Sequence, residues 1–288
     1  MNLIINFTPT GMIPTKEMTP HVPISVEEII EDVRVASQIG ISMVHLHARE
    51  ASNGEPTHQP ELYGEIIEGI RAFDQELVIC VSLSGRNVKT FEARSAPLQL
   101  LGEQKPDMGS LTLSSLNFNK VESVNSPSMI QALANEMLEK GILPELEVFD
   151  IGMINYSKYL IRKGLLKAPH YFNLLFGNIA CSQADLTMAG LMVRDLPEGS
   201  FWSFAGIGDA QLMMNSVGVA SGYGVRVGLE DNIWYDDKRN KLATNADLLR
   251  RVHVVAEANN RSVMTALELR GHLNLQPGRG FYGRATST

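Results

Sequence analysis

Cysteine is nearly absent from this chain. Its 288 residues contain two, Cys80 and Cys181, and neither belongs to a CxxC pair. That argues against a disulfide framework and fits a reducing compartment, so the expected location is cytoplasmic. Cys80 lies in the apolar run LVICVSL and reads as core; Cys181 follows GNIA and reads as loop. Basic runs are missing too. The chain has 25 Lys and Arg against 32 Asp and Glu, a formal net charge of −7, which makes nucleic acid an unexpected partner. An anionic ligand would have to be held by local Arg or Lys. No apolar run reaches eighteen residues, and MNLIINFTPTG has no basic segment ahead of a long apolar one, so neither a membrane span nor secretion is expected. GYGVRVG and GIG are only fragments of dinucleotide motifs. No GxGxxG joins a strand to a helix, and there is no Walker A motif. Repeats, low-complexity tracts and linkers are likewise lacking.

What is present is a regular alternation. Hydrophobic residues make up 44% of the chain, enough for one large core. Short apolar, β-branched runs predict strands at LIINF (3–7), MVHLHA (43–48), LVICVSL (77–83), GSLTLS (109–114), ELEVFD (145–150), YFNLLF (171–176), FWSFAG (201–206) and GVRVGLE (224–230). They are apolar on both faces, as buried parallel strands should be. Helical patterns lie between them. SVEEIIEDVRVASQIG opens with Ser25 as N-cap and Glu28 completing a capping box, and stops at Gly40. PELYGEIIEGIRAF starts at Pro60, and SPSMIQALANEMLEKG stops at Gly141. NYSKYLIRKG, SQADLTMAGLMVRDL, DAQLMMNSVGVASG and NADLLRRVHVVAEANN continue the series, while TFEARSAPLQLL is weakened by Pro97. Eight strand–helix units in this length predict an α/β fold, a (β/α)8 TIM barrel. An open doubly wound sheet is the alternative. One domain is expected over 1–288, with the barrel over about 1–262 and an extension over about 263–288. The final LNLQPGRGFYGRATST lacks periodicity and reads as an irregular tail, suited to packing on a neighbouring subunit.

The chemistry concentrates at strand ends. In VHLHARE, residues i and i+2 of a strand share a face, so His45 and His47 project together at the end where barrel active sites form. Such a pair is suited to one metal ion; the competing reading is hydrogen bonding within the core. A third ligand is needed. In a closed barrel the last strand adjoins the first, which brings Glu230 of GVRVGLEDN towards the histidines. Two His and one carboxylate with an open position suit catalytic zinc, or iron for oxygen chemistry; a rim ion pair is the alternative for Glu230. Arg226 shares its face and can hold an anionic substrate or fix Asp231, a candidate general base. Asp231 can equally be a turn or cap residue. Other strand ends offer Ser82, Ser84, Gly85 and Arg86; Ser110, Thr112 and Ser114; Glu145 and Glu147; and Thr8, Thr10 and Gly11. Small hydroxyls and glycines there suit a carboxylate or carbonyl ligand. The substrate-binding candidates are Ser82, Ser84, Gly85, Ser110, Thr112, Glu145 and Thr10. His21, His58, His170, His253 and His272 read as surface or interhelix residues, and the methionines of LMMNS, with Met188 and Met192, as barrel–helix packing.

Taken together, HLHAR, SGR, SLNF, PELEVFD-G and RVGLEDN resemble the beta-keto acid cleavage enzymes, whose type member acts on 3-keto-5-aminohexanoate. The likeness runs from TPTG through the last strand and the following helix. It implies a zinc-binding barrel, usually oligomeric and favouring a homotetramer, that converts a beta-keto acid and acetyl-CoA to acetoacetate and a new acyl-CoA. His45, His47 and Glu230 would be the zinc ligands. Asp231 would take a proton from the carbon between carboxylate and ketone, with Arg226 beside it; Ser82 and Ser110 match substrate-contacting positions. One segment departs. Where the aminohexanoate enzyme carries TGAE, its Glu on the substrate's amino group, this chain has TGMI, with Ile13 at that position, Met12 alongside and Glu17 a little further on. An uncharged or apolar side group is therefore expected on the keto acid. The residues that grip CoA are not visible as a motif. The alternatives are a metal-dependent barrel hydrolase or aldolase acting without acetyl-CoA, and a barrel that only binds a small acid.

Overall fold

The computed structural model describes residues 1–278, 282 and 283. Eight strands, β1 (Ile4–Phe7), β2 (Met43–Leu46), β3 (Val78–Val81), β4 (Met108–Thr112), β5 (Leu143–Val148), β6 (Tyr171–Phe176), β7 (Phe201–Gly206) and β8 (Gly224–Val227), close into a barrel in chain order. Every pairing is parallel, and β8 returns to β1 with Asn6 opposite Arg226. That closure excludes the open sheet. Each strand falls on its β-branched or aromatic run, but β8 ends at Val227, so Gly228, Leu229 and Glu230 of the expected 224–230 strand form a turn.

The surrounding helices are α1 (Val26–Ile39), α2 (Pro60–Arg71), α3 (Phe91–Ser95), α4 (Pro127–Lys140), α5 (Ile151–Arg162), α6 (Leu186–Asp195), α7 (Ala210–Ser221), α8 (Asn245–Ala258) and α9 (Ala266–Leu273). Their ends follow local chemistry. Ser25 and Glu28 form the capping box of α1. Pro60 opens α2, and Gly141 closes α4 in the left-handed conformation. After α3 the chain tightens into a 3-10 turn over Ala96–Gln99, where Pro97 has no amide hydrogen to give. α5 starts at Ile151, earlier than its periodicity suggests, because Asp150 accepts from the Gly152 amide. α1 buries Ile29, Val33 and Ala36, a stripe at helical spacing against the barrel.

Alternate strand residues separate the two sides of the wall. Ile5, Val44, Ile79 and Leu146 join the outer core under the helices, whereas Ile4, Met43, Val78, Met108, Leu143 and Tyr171 form a second cluster inside the barrel floor. Leu269 and Leu273 of α9 belong to that floor cluster. α9 is not anticipated in the sequence: its eight residues are too few for a clear period, and its role is to plug the open bottom. Arg270 fastens it, donating from Nη1 and Nη2 to the Asp107 carboxylate at 2.9 Å each. Beyond it, residues 274–278 and 282–283 adopt no helix or strand, and Leu275 and Tyr282 pack on their own barrel floor. The rest of the expected tail, 279–281 and 284–288, lies outside the described residues. Among those described, no helix is long and apolar enough to cross a membrane.

With the floor plugged, polar inward positions accumulate towards the other end. Asn6, His45, Cys80, Ser110, Glu145 and Arg226 follow the floor residues at steps of two along their strands. Two short antiparallel hairpins, 48–49 with 56–57 and 116–117 with 122–123, rise from the ends of β2 and β4.

Candidate active site

The strand geometry brings His45 and His47 together at the end of β2. Their Nε2 atoms are 3.2 Å apart, and His47 Nε2 is 3.2 Å from Glu230 Oε1. Glu230 arrives from β8 because the chain there hugs β1. A Cβ on Gly228 would stand 2.0 Å from the Thr8 carbonyl, and one on Gly11, which has φ +63°, would stand 2.5 Å from Glu230 Cγ. Only glycine permits that approach. Asn245 at the start of α8 ties the two loops together. It accepts from the Leu229 amide and donates to the Pro9 carbonyl and to Asp32.

Three potential ligand atoms thus converge on one point, and a single proton between the rings does not satisfy them all. If His45 donates from Nε2 to His47, then Glu230 receives nothing from either ring; its Oε2 is buried with no partner. The three ligand atoms lie within 4.8 Å of one another, and a cation among them would engage each. Beneath them, Glu145 accepts from His45 Nδ1 (2.5 Å), Asn6 Nδ2 (2.7 Å) and Cys80 Sγ (3.3 Å). The bond to Nδ1 orients the ring and directs Nε2 at the convergence point, the carboxylate–histidine support common behind metal ligands. His45, Cys80 and Glu145 also form a cluster within metal-ligand reach. However, burial, and Glu145 beside it, push the Cys80 thiol well up, which favours the hydrogen-bond donor over the thiolate ligand.

Arg226, at 2% exposure, gathers the acids above. Its Nε is 2.9 Å from Asp231 Oδ2, Nη2 is 2.7 Å from Glu230 Oε1, and Nη1 is 3.5 Å from Glu147 Oε1. Burial opposes every charge here, so the balance depends on neighbours. Burial would raise Glu230, but Arg226 and both histidines hold it well below the usual carboxylate range. Asp231 is raised: burial and the adjacent Glu230 outweigh Arg226. Burial lowers both histidines, yet Glu145 and Glu230 lift His45 to about 9, while His47 falls to about 4. Glu145 is held at about 2, its burial overcome chiefly by His45.

A cavity of about 460 Å³ opens above this cluster. His47, Glu230, Asp231 and Arg226 line its base, with Ser82, Ser84, Thr112 and Glu147 beside them; Thr112 donates to Glu147 at 2.6 Å. Met12, Ile13, Phe118 and Leu175 belong to its apolar wall. The other sequence candidates stand elsewhere. His45 and Glu145 lie buried beneath the cavity. The Ser110 hydroxyl accepts from the Leu83 amide. Gly85 packs on Arg94, where a Cβ would meet Nη1 at 2.6 Å. Thr10 is buried in the β1 loop with its hydroxyl unpartnered. Asn6 is a site residue that the sequence candidates omit, and Glu147 and Arg86, offered by their strand ends but left out of the substrate-binding set, both line the cavity. Asn6 is detectable as a lone amide in the apolar run LIINF, and Glu147 as the i+2 partner of Glu145. Two of the histidines read as surface or interhelix groups, His58 and His170, are buried, at 6% and 8% exposure. His58 is carried inward by the hairpin after β2, whose fold its sequence does not announce. His253 does bridge elements, to the Gly40 carbonyl.

A closed (β/α)8 barrel whose open end gathers two histidines, three carboxylates and a buried arginine beside one cavity has the architecture of a TIM-barrel enzyme. The family model for beta-keto acid cleavage enzymes matches residues 2–275, and the chain belongs to that family. A 3-keto-5-aminohexanoate cleavage enzyme from Fusobacterium nucleatum is 36% identical over 276 residues, which cover 95% of this chain and 98% of that one. A 3-oxoadipate:acetyl-CoA acetyltransferase from Cupriavidus necator is 33% identical over 285 residues, 98% of each chain. Among solved structures, ObcA in a ternary complex with a C4-CoA adduct and oxalate has a TM-score of 0.75 at 20% identity, covering 89% of this chain and 68% of that one. A truncated 3-deoxy-D-arabino-heptulosonate 7-phosphate synthase from Thermotoga maritima has a TM-score of 0.53 at 10% identity, covering 91% and 89%. At these identities the structural likeness is one of fold.

Proposed function

We propose that this protein is a zinc-dependent beta-keto acid cleavage enzyme that turns a beta-keto acid and acetyl-CoA into acetoacetate and a new acyl-CoA. The observation that carries the reading is the convergence of His45 Nε2, His47 Nε2 and Glu230 Oε1 directly below a cavity that also holds the Asp231–Arg226 pair. His45, His47 and Glu230 would hold the zinc. When bound, it supplies a Lewis acid that polarises the keto acid's oxygens and makes the intervening methylene more acidic.

Asp231 is the base. Burial and Glu230 raise its proton affinity, and Arg226 Nε fixes one oxygen so that the other can take the methylene proton. The carbanion attacks the acetyl carbon of acetyl-CoA, and CoA thiolate leaves. The thiolate then adds to the original ketone carbon, the adjoining C–C bond breaks, and acetoacetate departs after Asp231 returns the proton. Ser82, Ser84 and Thr112 are the hydroxyls positioned to orient the keto acid. Ser110, Gly85, Thr10 and Glu145 support the loops and ligands that surround it. The homo-oligomer belongs to the same reading.

The cavity wall selects the side group. Met12, Ile13, Phe118 and Leu175 present no carboxylate to an ammonium, and Glu17 is exposed and does not line the cavity. An apolar substituent is accordingly preferred. The test is metal content of the purified protein beside His47→Ala, then acetoacetate release from 3-oxohexanoate and 3-keto-5-aminohexanoate with acetyl-CoA. Near-stoichiometric zinc lost in the variant, acetoacetate formed, and 3-oxohexanoate preferred are the expected results. Zinc without acetoacetate would move the chemistry to a hydrolase or aldolase; absent zinc would remove the proposal's base.

A further inference from the structure

Arg86 differs from the arginines around it. Arg49 gives its donors to the carbonyls of Gly11, Gly54 and Pro14. Arg94 gives its own to Leu83, Val124 and Asn125, and Arg226 binds three carboxylates. Arg86 also lines the cavity, yet among the described residues no protein oxygen accepts from its guanidinium, and Nε is buried without a partner. It is nevertheless held in place. Its Cζ lies 3.7 Å from the centroid of the Phe118 ring, which Phe149 braces edge-on at 5.9 Å between centroids. Its backbone amide donates to Ser84 Oγ at 3.4 Å.

An aromatic face attracts the charge but accepts none of the five N–H groups. Burying donors without acceptors is unfavourable, so the arrangement makes sense when something else provides the acceptors. The protein does not supply them. Glu147, Glu230 and Asp231, the acids of the same cavity, are each engaged by Arg226. An acceptor for the buried Nε has to come from whatever fills the cavity, and the planar fork of a guanidinium matches a carboxylate or a phosphate.

We infer that Arg86, clamped on Phe118, is the receptor for an anionic group of a bound substrate: the carboxylate of the keto acid or a phosphate of the CoA thioester. The identity of those ligands rests on the proposed function; the unpaired guanidinium does not.

The test compares wild type with Arg86→Met, which keeps a stem of similar length over Phe118 without the charge, and with Arg86→Lys, which keeps the charge without the fork. Binding of 3-oxohexanoate and of CoA to the zinc-loaded protein is measured by calorimetry, alongside KM, kcat and thermal unfolding. Arg86→Met is expected to weaken one of the two ligands roughly 10- to 100-fold, raising that ligand's KM more than it lowers kcat, with the Tm unchanged and Arg86→Lys intermediate. A loss confined to 3-oxohexanoate identifies the carboxylate. A loss confined to CoA, and absent when acetyl-pantetheine replaces acetyl-CoA, identifies a phosphate. Unchanged binding of both ligands would overturn the inference, as would a lowered Tm with both affinities falling alike. Calorimetry needs no turnover, so a wild type that makes no acetoacetate would count against the reaction and leave the Arg86 result readable.

Discussion

Glu145 offers the sharpest test of how the site would be prepared for the proposed zinc ion. In the metal-free protein the Glu145 carboxylate, 2.5 Å from His45 Nδ1, helps lift that ring from its usual 6.5 to about 9. At pH 7 the ring therefore carries an extra proton, which an incoming zinc ion must displace. Two pH units separate 7 from about 9, so zinc affinity should climb about tenfold per unit across that window, about 100-fold in all. Glu145→Gln removes the charge while keeping the volume. His45 then loses its extra proton near neutrality, and the variant's affinity should be nearly flat from pH 7 upward. Above pH 9 the wild type should bind more tightly by about 10- to 100-fold, because the carboxylate makes His45 a better donor to the metal. Asn6 can adapt to the new amide, since its Oδ1 is buried and free to accept. The assay is competition for zinc against a chelator of known affinity from pH 6.5 to 9.5, with proton release measured calorimetrically in two buffers. A wild-type affinity that does not change between pH 7 and 9, with no proton released, would refute the reasoning. The stability of the metal-free fold runs the opposite way with pH. A raised histidine stabilises the metal-free fold fully below 6.5 and loses that contribution as pH rises through about 9. The metal-free protein should therefore lose stability across that interval relative to Glu145→Gln.

Gly11→Ala should abolish zinc binding, because its Cβ would lie 2.5 Å from Glu230 Cγ at a φ of +63°; metal analysis of the purified variant reads this directly, and the backbone strain alone costs about 1–2 kcal/mol. Asp231→Asn should keep zinc but lower kcat by roughly 10²- to 10⁴-fold, and zinc retained with kcat unchanged would exclude Asp231 as the base. Asp32 is raised from 3.8 to about 6 by burial. A carboxyl shifted upward weakens the fold as pH rises from 3.8 through 6, so Asp32→Asn should stabilise at pH 7 by about 1–2 kcal/mol after allowance for its partial exposure, and by almost nothing near pH 4. Urea unfolding at the two pH values checks it.

Much of the architecture is readable in the chain because it depends on local periodicity. Eight apolar runs must pair in parallel when helices separate them, and HxH must share a face when it sits on a strand. Ser25 and Gly141 set helix ends through bonds within a turn of themselves, and Pro60 and Pro97 do so by lacking an amide hydrogen. In RVGLEDN the expected strand runs to Glu230, but β8 stops at Val227 and a turn at Gly228, not strand alternation, carries Glu230 to the histidines. Other features follow from tertiary contact alone. α9 plugs the floor, and the chain's alternation cannot show that a barrel end needs plugging. Ser110 and Gly85 carry the same small-residue character as Ser82 and Ser84, but one faces the Leu83 amide and the other Arg94. His58 is drawn inward by a hairpin. Glu145 and Glu147 look alike in PELEVFD, yet one supports His45 and the other lines the cavity beside Arg226. Periodicity assigns a face to each residue. Its depth along the barrel and its burial depend on the closed barrel and on strands far apart in sequence, and those also set the charge it carries.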